Sequence, residues 1–242
     1  MRLLINSLDR ISSSSSTTDF IIVLNEAIKD VYKVKLIAAD ITNSFYNINS
    51  TNNTFSWEED AGGDLISSTL TNGSYSPDTF IVMLKTILDA DTLNAQVYTI
   101  TYDIDTAHIT ISSSANFSLY LNGPLGVYMG FSGNQSGAAT YTSSLVCDFS
   151  YPKLFILEIS EFNSSNSIIK HAGSRFQYPN FVIHNDSNFS NVGHYRRKKK
   201  ENTLTFSTPI VAISQLSIKL LDENHATLNS NGINWNMEVN NK

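Results

Sequence analysis

The chain has 242 residues and a formal charge of −6, with 41% hydrophobic and only 16% charged residues. A chain of this length buries roughly three quarters of its unfolded surface, so a core forms without disulfide or metal staples, in one long domain or two small ones. The acidic balance gives the protein as a whole no electrostatic reason to coat nucleic acid, and the lone Cys147 excludes an internal disulfide or a thiolate metal cluster within one chain.

That cysteine count suits a reducing compartment. In the opening MRLLINSLDR, Asn6 and Asp9 interrupt the apolar run before it reaches signal-peptide length, so no export signal is expected. Ser12 to Thr18 is an unbroken Ser/Thr tract with no apolar side chain to offset the entropy of ordering. Residues 1–18 are therefore expected to form a disordered N-terminal assembly arm, with Leu3, Leu4, Ile5, Leu8 and Ile11 as apolar anchors that order on a neighbour.

The runs Phe20 to Asn25 and Val31 to Ile41 read as two strands around a polar turn. Lys33 and Lys35 alternate with Tyr32, Val34 and Leu36 at the period of a half-buried strand. Ser50 to Gly63 reads as a surface excursion with a brief strand at Phe55 to Trp57, and Asp64 to Leu70 as an extended stretch before the Asn72-Gly73 turn. A helix follows. Ser76 or Asp78 caps it, Pro77 suits its first turn, Phe80, Ile81, Leu84, Ile87 and Leu88 share one stripe, and it ends near Asp91.

Strict alternation in YTITYDID and HITISSS, joined at Asp105-Thr106-Ala107, predicts a hairpin, and Phe117 to Leu121 predicts a further strand. Gly123 to Gly133 is too apolar for an open loop and predicts a packed turn of helix. Asn134 to Ser144 reads as a loop or mobile tip. Tyr151 to Phe162 is the strongest strand signal and is expected to be central, with a shorter strand at Asn180 to His184. Thr203 to Phe206, Gln215 to Leu221 and Gly232 to Val239 are further strands. The pattern predicts an all-β protein, an antiparallel single jelly-roll sandwich over residues 19–242 with one inserted short helix and loop insertions.

The residues point to no chemistry of catalysis. The five histidines lack metal-ligand spacing, and neither a Gly-x-Ser-x-Gly elbow nor a phosphate-binding loop occurs. Glu58, Glu59, Asp60 and Asp64 read as a solvated face, Asp103 and Asp105 as turn caps, and Cys147 as a small core residue. No catalytic residue, cofactor or metal is expected. No segment approaches the ~18 consecutive apolar residues of a membrane-spanning helix, so a soluble chain is expected. The basic run Arg196, Arg197, Lys198, Lys199 and Lys200 reads as an exposed contact loop for an acidic partner, anionic lipid or packaged genome, or as a solubilising loop.

The stretch NSLDRISSSSSTTDFIIVLNEAIKDVYKVKLIAADITNSFYNI resembles the start of penton, or minor capsid, proteins of virophages, polinton-like viruses and large DNA viruses of the double-jelly-roll lineage. The Asn72 to Pro77 turn before the helix, the YTITYDIDTAHITISSS hairpin, the LGVYMGFSG turn and the closing LSIKLLDENHATLNSNGINWNMEV are similar as well. Tyr46 to Asp64 and Phe162 to Lys200 match least. The resemblance implies a non-enzymatic jelly roll that forms homo-pentamers at the fivefold vertices of an icosahedral capsid and contacts trimers of the major capsid protein. It implies a virion component assembled in the host cytoplasm. Tyr128, Phe131 and Tyr141, beside the Gly133 to Thr140 tip, are expected at the subunit contact. The alternative reading is a carbohydrate-binding or fibre-type β-sandwich attachment protein with Trp57, Tyr75 and Tyr178 stacking on sugars.

Overall fold

Alternating apolar residues set the strands, and bulges rather than tight turns decide how the longest of them are arranged. The computed structural model describes residues 1–13, 16–59, 63–93, 95–121, 123–163, 180–197 and 202–241. In chain order the elements are β1 (Arg2–Asn6), β2 (Asp19–Thr42), β3 (Thr54–Glu59), β4 (Leu65–Thr69), α1 (Pro77–Ala90), β5 (Tyr98–Asp103) and β6 (His108–Tyr120). Then come α2 (Pro124–Tyr128), β7 (Gln135–Thr142), β8 (Leu154–Ile159), β9 (Phe181–His184), β10 (Val192–Arg196), β11 (Thr203–Leu221) and β12 (Asn236–Asn241). Among the described residues all strand pairings are antiparallel. They fall in two compact units, residues 1–45 with 152–242, and residues 46–151.

In the first unit the strand order is β1-β12-β2-β11-β8-β9, with β10 also paired to β2. The expected hairpin between Phe20 and Ile41 is replaced by one strand of 24 residues, β2, laddered along much of its length to β11. The polar Asn25 to Asp30 stretch that reads as a turn is an irregularity in that ladder: the register slips near Ile213 and Gln215, and Asp30 has a φ of 52°. Laid straight, β2 would hold Phe20 and Asp40 roughly 65 Å apart. Yet the Phe20 ring packs edge-on against Trp235 at 5.8 Å, and the next residue, Asn236, pairs with Asp40. The β2–β11 ladder therefore folds back on itself, and one hydrogen-bonded sheet supplies both layers of a sandwich. Phe20, Leu36, Phe155, Leu157, Phe181, Leu216, Ile218, Trp235 and Met237 are buried in this unit.

The opening residues depart from the expected disordered arm. β1 pairs with β12 of its own chain, Asn6 caps the turn at Ser7–Asp9 by accepting the Leu8 N–H, and Ile5 is buried. Thr17 and Thr18 are buried too: Thr17 O accepts the Trp235 indole N–H at 2.8 Å, and the Thr18 hydroxyl donates to Leu228 O at 2.5 Å. The physical reason is the edge of β12, whose backbone groups find their partners in Arg2 to Asn6 of the same chain.

The second unit holds a sheet in the order β4-β3-β6-β5, with β7 also on β6. Helix α1 starts at a reciprocal cap between Ser76 and Thr79, ends at Asp91, and buries Phe80, Leu84 and Leu88. Asn134 to Ser144 is no loose tip; most of it is β7, anchored by the buried Tyr141 hydroxyl donating to Phe117 O at 2.6 Å. The turn after α2 depends on Gly130, whose φ is +80° and where an added Cβ would lie 2.1 Å from Leu145 O.

Candidate assembly surfaces

Hydrogen-bond phase along the outer strands shows which backbone edges are open. Asn191 O accepts from Asn43, and Arg197 N–H donates to Ile37 O, which sets residues 191, 193, 195 and 197 as the ones facing β2. Val192, His194 and Arg196 thus turn their backbone N–H and C=O groups away from β2. On β1, Met1 and Ser7 bond toward β12 through Asn241 and Trp235, so Arg2, Leu4 and Asn6 point their backbone groups outward. Among the described residues, the layer ordered β1-β12-β2-β10 therefore ends in two different unpaired edges of five residues each.

A cleft of about 460 Å³ borders β10, with Val182, Ile183 and His184 of β9 on its far wall. Ala39, Ile41 and Phe155 give it an apolar lining, while Asp186, His194 and Arg196 add polar groups. Asn202, in the left-handed region, ties β9 in place: its amide donates to Val182 O at 2.8 Å and accepts from Val182 N–H at 2.9 Å, while Asn202 O accepts from Leu36 N–H. Partial burial pushes the Asp40 carboxyl up, but the Arg196 guanidinium and His194, each 2.7 Å from Asp40 Oδ1, outweigh it and hold the group below the ordinary aspartate range.

The sequence-based site residues are distributed unevenly over these surfaces. Of the arm anchors, Leu4 is 72% and Leu8 64% exposed, Leu3 and Ile11 are half-buried, and Ile5 is in the core. Of the basic run, Arg196 closes β10 and Arg197 extends it, with Arg197 Nη2 donating to Thr203 Oγ1 at 3.3 Å. Arg196 is thus a strand residue rather than part of a loop, and Arg197 follows it with one further backbone bond to Ile37 of β2. Lys198, Lys199 and Lys200 lie outside the described residues.

Phe131 and Tyr141 are buried in the core of the second unit, and the half-buried Tyr128 stacks on Phe149 at 6.2 Å. Phe131 and Tyr141 thus give their rings to the interior of their own unit rather than to its surface, and Tyr128 is the one of the three that keeps partial exposure. Nor do the aromatics of the carbohydrate reading make a platform: Trp57 is buried against Phe55, Tyr75 is half-buried against Phe80, and Tyr178 is outside the described residues.

Glu59 is also misplaced by the sequence reading. It is buried, where its carboxylate accepts from the Thr92 hydroxyl at 2.5 Å, the Leu93 N–H at 2.9 Å and the Tyr98 hydroxyl at 3.1 Å. Burial, and then the charge of Glu59, raises the Tyr98 phenol well above its ordinary pKa. Burial likewise raises the Cys147 thiol, which makes it less nucleophilic at neutral pH. Among the described residues no group of three His, Cys, Asp or Glu side chains is placed to hold a metal ion. No described helix is long and apolar enough to cross a membrane.

Sequence reasoning missed β10 and Asn202. Alternation in Val192-Gly193-His194-Tyr195-Arg196 was the available signal for the strand, hidden by the basic run that follows it; a bridging asparagine leaves no periodic trace.

No family model matches this sequence, and no curated protein matches it. Among solved structures, the chain is similar to the crystal structure of the mavirus penton protein at a TM-score of 0.50 and 8% identity, covering 100% of both chains. At that identity the likeness is one of fold: the chain has a penton-like, antiparallel β architecture.

Proposed function

We propose that this protein is a structural virion component that forms the pentameric vertex of an icosahedral capsid and contacts the surrounding major capsid protein. The observation that carries the reading is the end-to-end likeness of fold to the mavirus penton protein. Ring closure requires two different flanks that meet head to tail, and the β1 and β10 edges supply such a pair. On this reading the exposed Leu4 and Leu8 are contacts of the N-terminal segment with a neighbouring capsid subunit. The basic run meets an acidic partner, lipid or genome inside the particle. Assembly takes place in the cytoplasm of the infected host cell.

Size exclusion coupled to light scattering at micromolar concentration, with and without the major capsid protein, tests the reading. A mass of five subunits in either sample supports it. A stable trimer in both, or a monomer in both, overturns it.

A further inference from the structure

The two open edges match one another in length, sense and phase. β1 and β10 are each five residues long, and each turns three residues' backbone groups outward: Arg2, Leu4 and Asn6 on one, Val192, His194 and Arg196 on the other. Through β12 and β2, β1 runs opposite to β10. Two copies placed side by side in the same orientation therefore bring β1 of one against β10 of the next as an antiparallel pair. We infer that this strand addition is the subunit contact: β1 of one copy docks along β10 of its neighbour, beside the β9–β10 cleft, with Arg2, Leu4 and Asn6 opposite Arg196, His194 and Val192.

This rests on the ring-forming reading above and names its interface. In that register all three outward residues of each strand form closely bonded pairs, whereas a slip by two residues loses one pair. Leu4, 72% exposed in the single chain, comes to lie beside the His194 ring on the outer face. On the inner face Ile5 comes opposite Gly193, which has no side chain of its own and carries the Ser187 hydroxyl over its Cα. The two arginines at the strand ends already carry carboxylates, Arg2 on Glu238 and Arg196 on Asp40, so their approach joins two neutral pairs rather than two bare cations. A ladder continued edge to edge uses β-strand addition, and a heterologous contact of this kind closes into a ring when the rotation permits.

A disulfide trap tests the contact. Within one chain residues 4 and 194 are separated by three strand spacings, roughly 14 Å, beyond disulfide reach. Across the contact their Cα atoms lie about 5.5 Å apart. Leu4→Cys and His194→Cys, combined in a Cys147→Ser background, are expected to give covalent oligomers up to five subunits under mild oxidation. A mixture of the two single-cysteine chains is expected to stop at dimers, and neither alone should link through this site. Pentamers that form without the 4–194 link overturn the inference and leave the vertex reading standing; the absence of both link and oligomer overturns both. As a second variant, Val192→Pro removes one outward N–H at the first residue of β10 and is expected to weaken ring association about tenfold with the melting temperature little changed. Unaltered association would count against the contact.

Discussion

Replacing Glu59 is expected to separate a buried structural carboxylate from the solvated face its sequence neighbours suggest. It joins the end of β3 to the segment after α1 and to β5 through Thr92, Leu93 and Tyr98. Hydrogen bonds to a charged acceptor contribute about 1.5–3 kcal/mol each. Their sum overstates the loss, because removing the carboxylate also relieves its desolvation. Glu59→Ala leaves the Leu93 N–H and the Tyr98 hydroxyl without their acceptor, and a loss of about 3 kcal/mol is the expected balance. Glu59→Gln retains an oxygen for Leu93 and places an amide where two hydroxyls can accept from it, so its loss is about 1 kcal/mol. The two tryptophans, Trp57 and Trp235, fall one in each compact unit. In a Trp235→Phe background, Trp57 fluorescence reports the second unit alone during urea unfolding. With a slope of about 1–3 kcal/mol per molar, the Ala variant should lower the midpoint by about 1–3 M. A shift under about 0.5 kcal/mol, or equal losses for Ala and Gln, refutes the buried-acceptor account.

Gly130→Ala places a Cβ against Leu145 O in a left-handed conformation and is expected to cost about 2 kcal/mol or more in chemical unfolding, whereas Gly123→Ala, with open space around it, should be nearly neutral. The raised Tyr98 pKa stabilises the folded state fully below the unfolded phenol value of about 10, and that contribution is lost as pH rises above it; Tyr98→Phe should flatten the alkaline limb of a stability profile. Asn202→Ala removes both bonds to Val182 and should destabilise the first unit by about 1–3 kcal/mol, with faster amide exchange at Val182 as the local readout.

Local periodicity carried α1, the β5–β6 hairpin and the strands at β8 and β9, since their signals lie within one window and each has a clear start or stop. Long-range pairing was less legible. Asn25 to Asp30 has the composition of a turn, and only its partner β11 shows that the chain continues as a strand through a bulge. The same limit hid β1, whose alternation of Leu3 and Ile5 is too short to outweigh the Ser/Thr tract until β12 offers an edge. Aromatic side chains in glycine-rich or polar segments, such as Phe131, Tyr141 and Trp57, read as exposed because composition reports the segment and not the direction of one ring. The edges left unpaired among the described residues depend on hydrogen-bond phase, which residue type does not report.

Cryo-electron microscopy of capsids assembled with and without this protein tests the vertex assignment most directly. Density present only in the complete particles, at the fivefold positions, and fitted by five copies of this fold is the expected result. Particles whose fivefold positions are unchanged by its omission, or density for this fold at another symmetry position, would contradict the assignment.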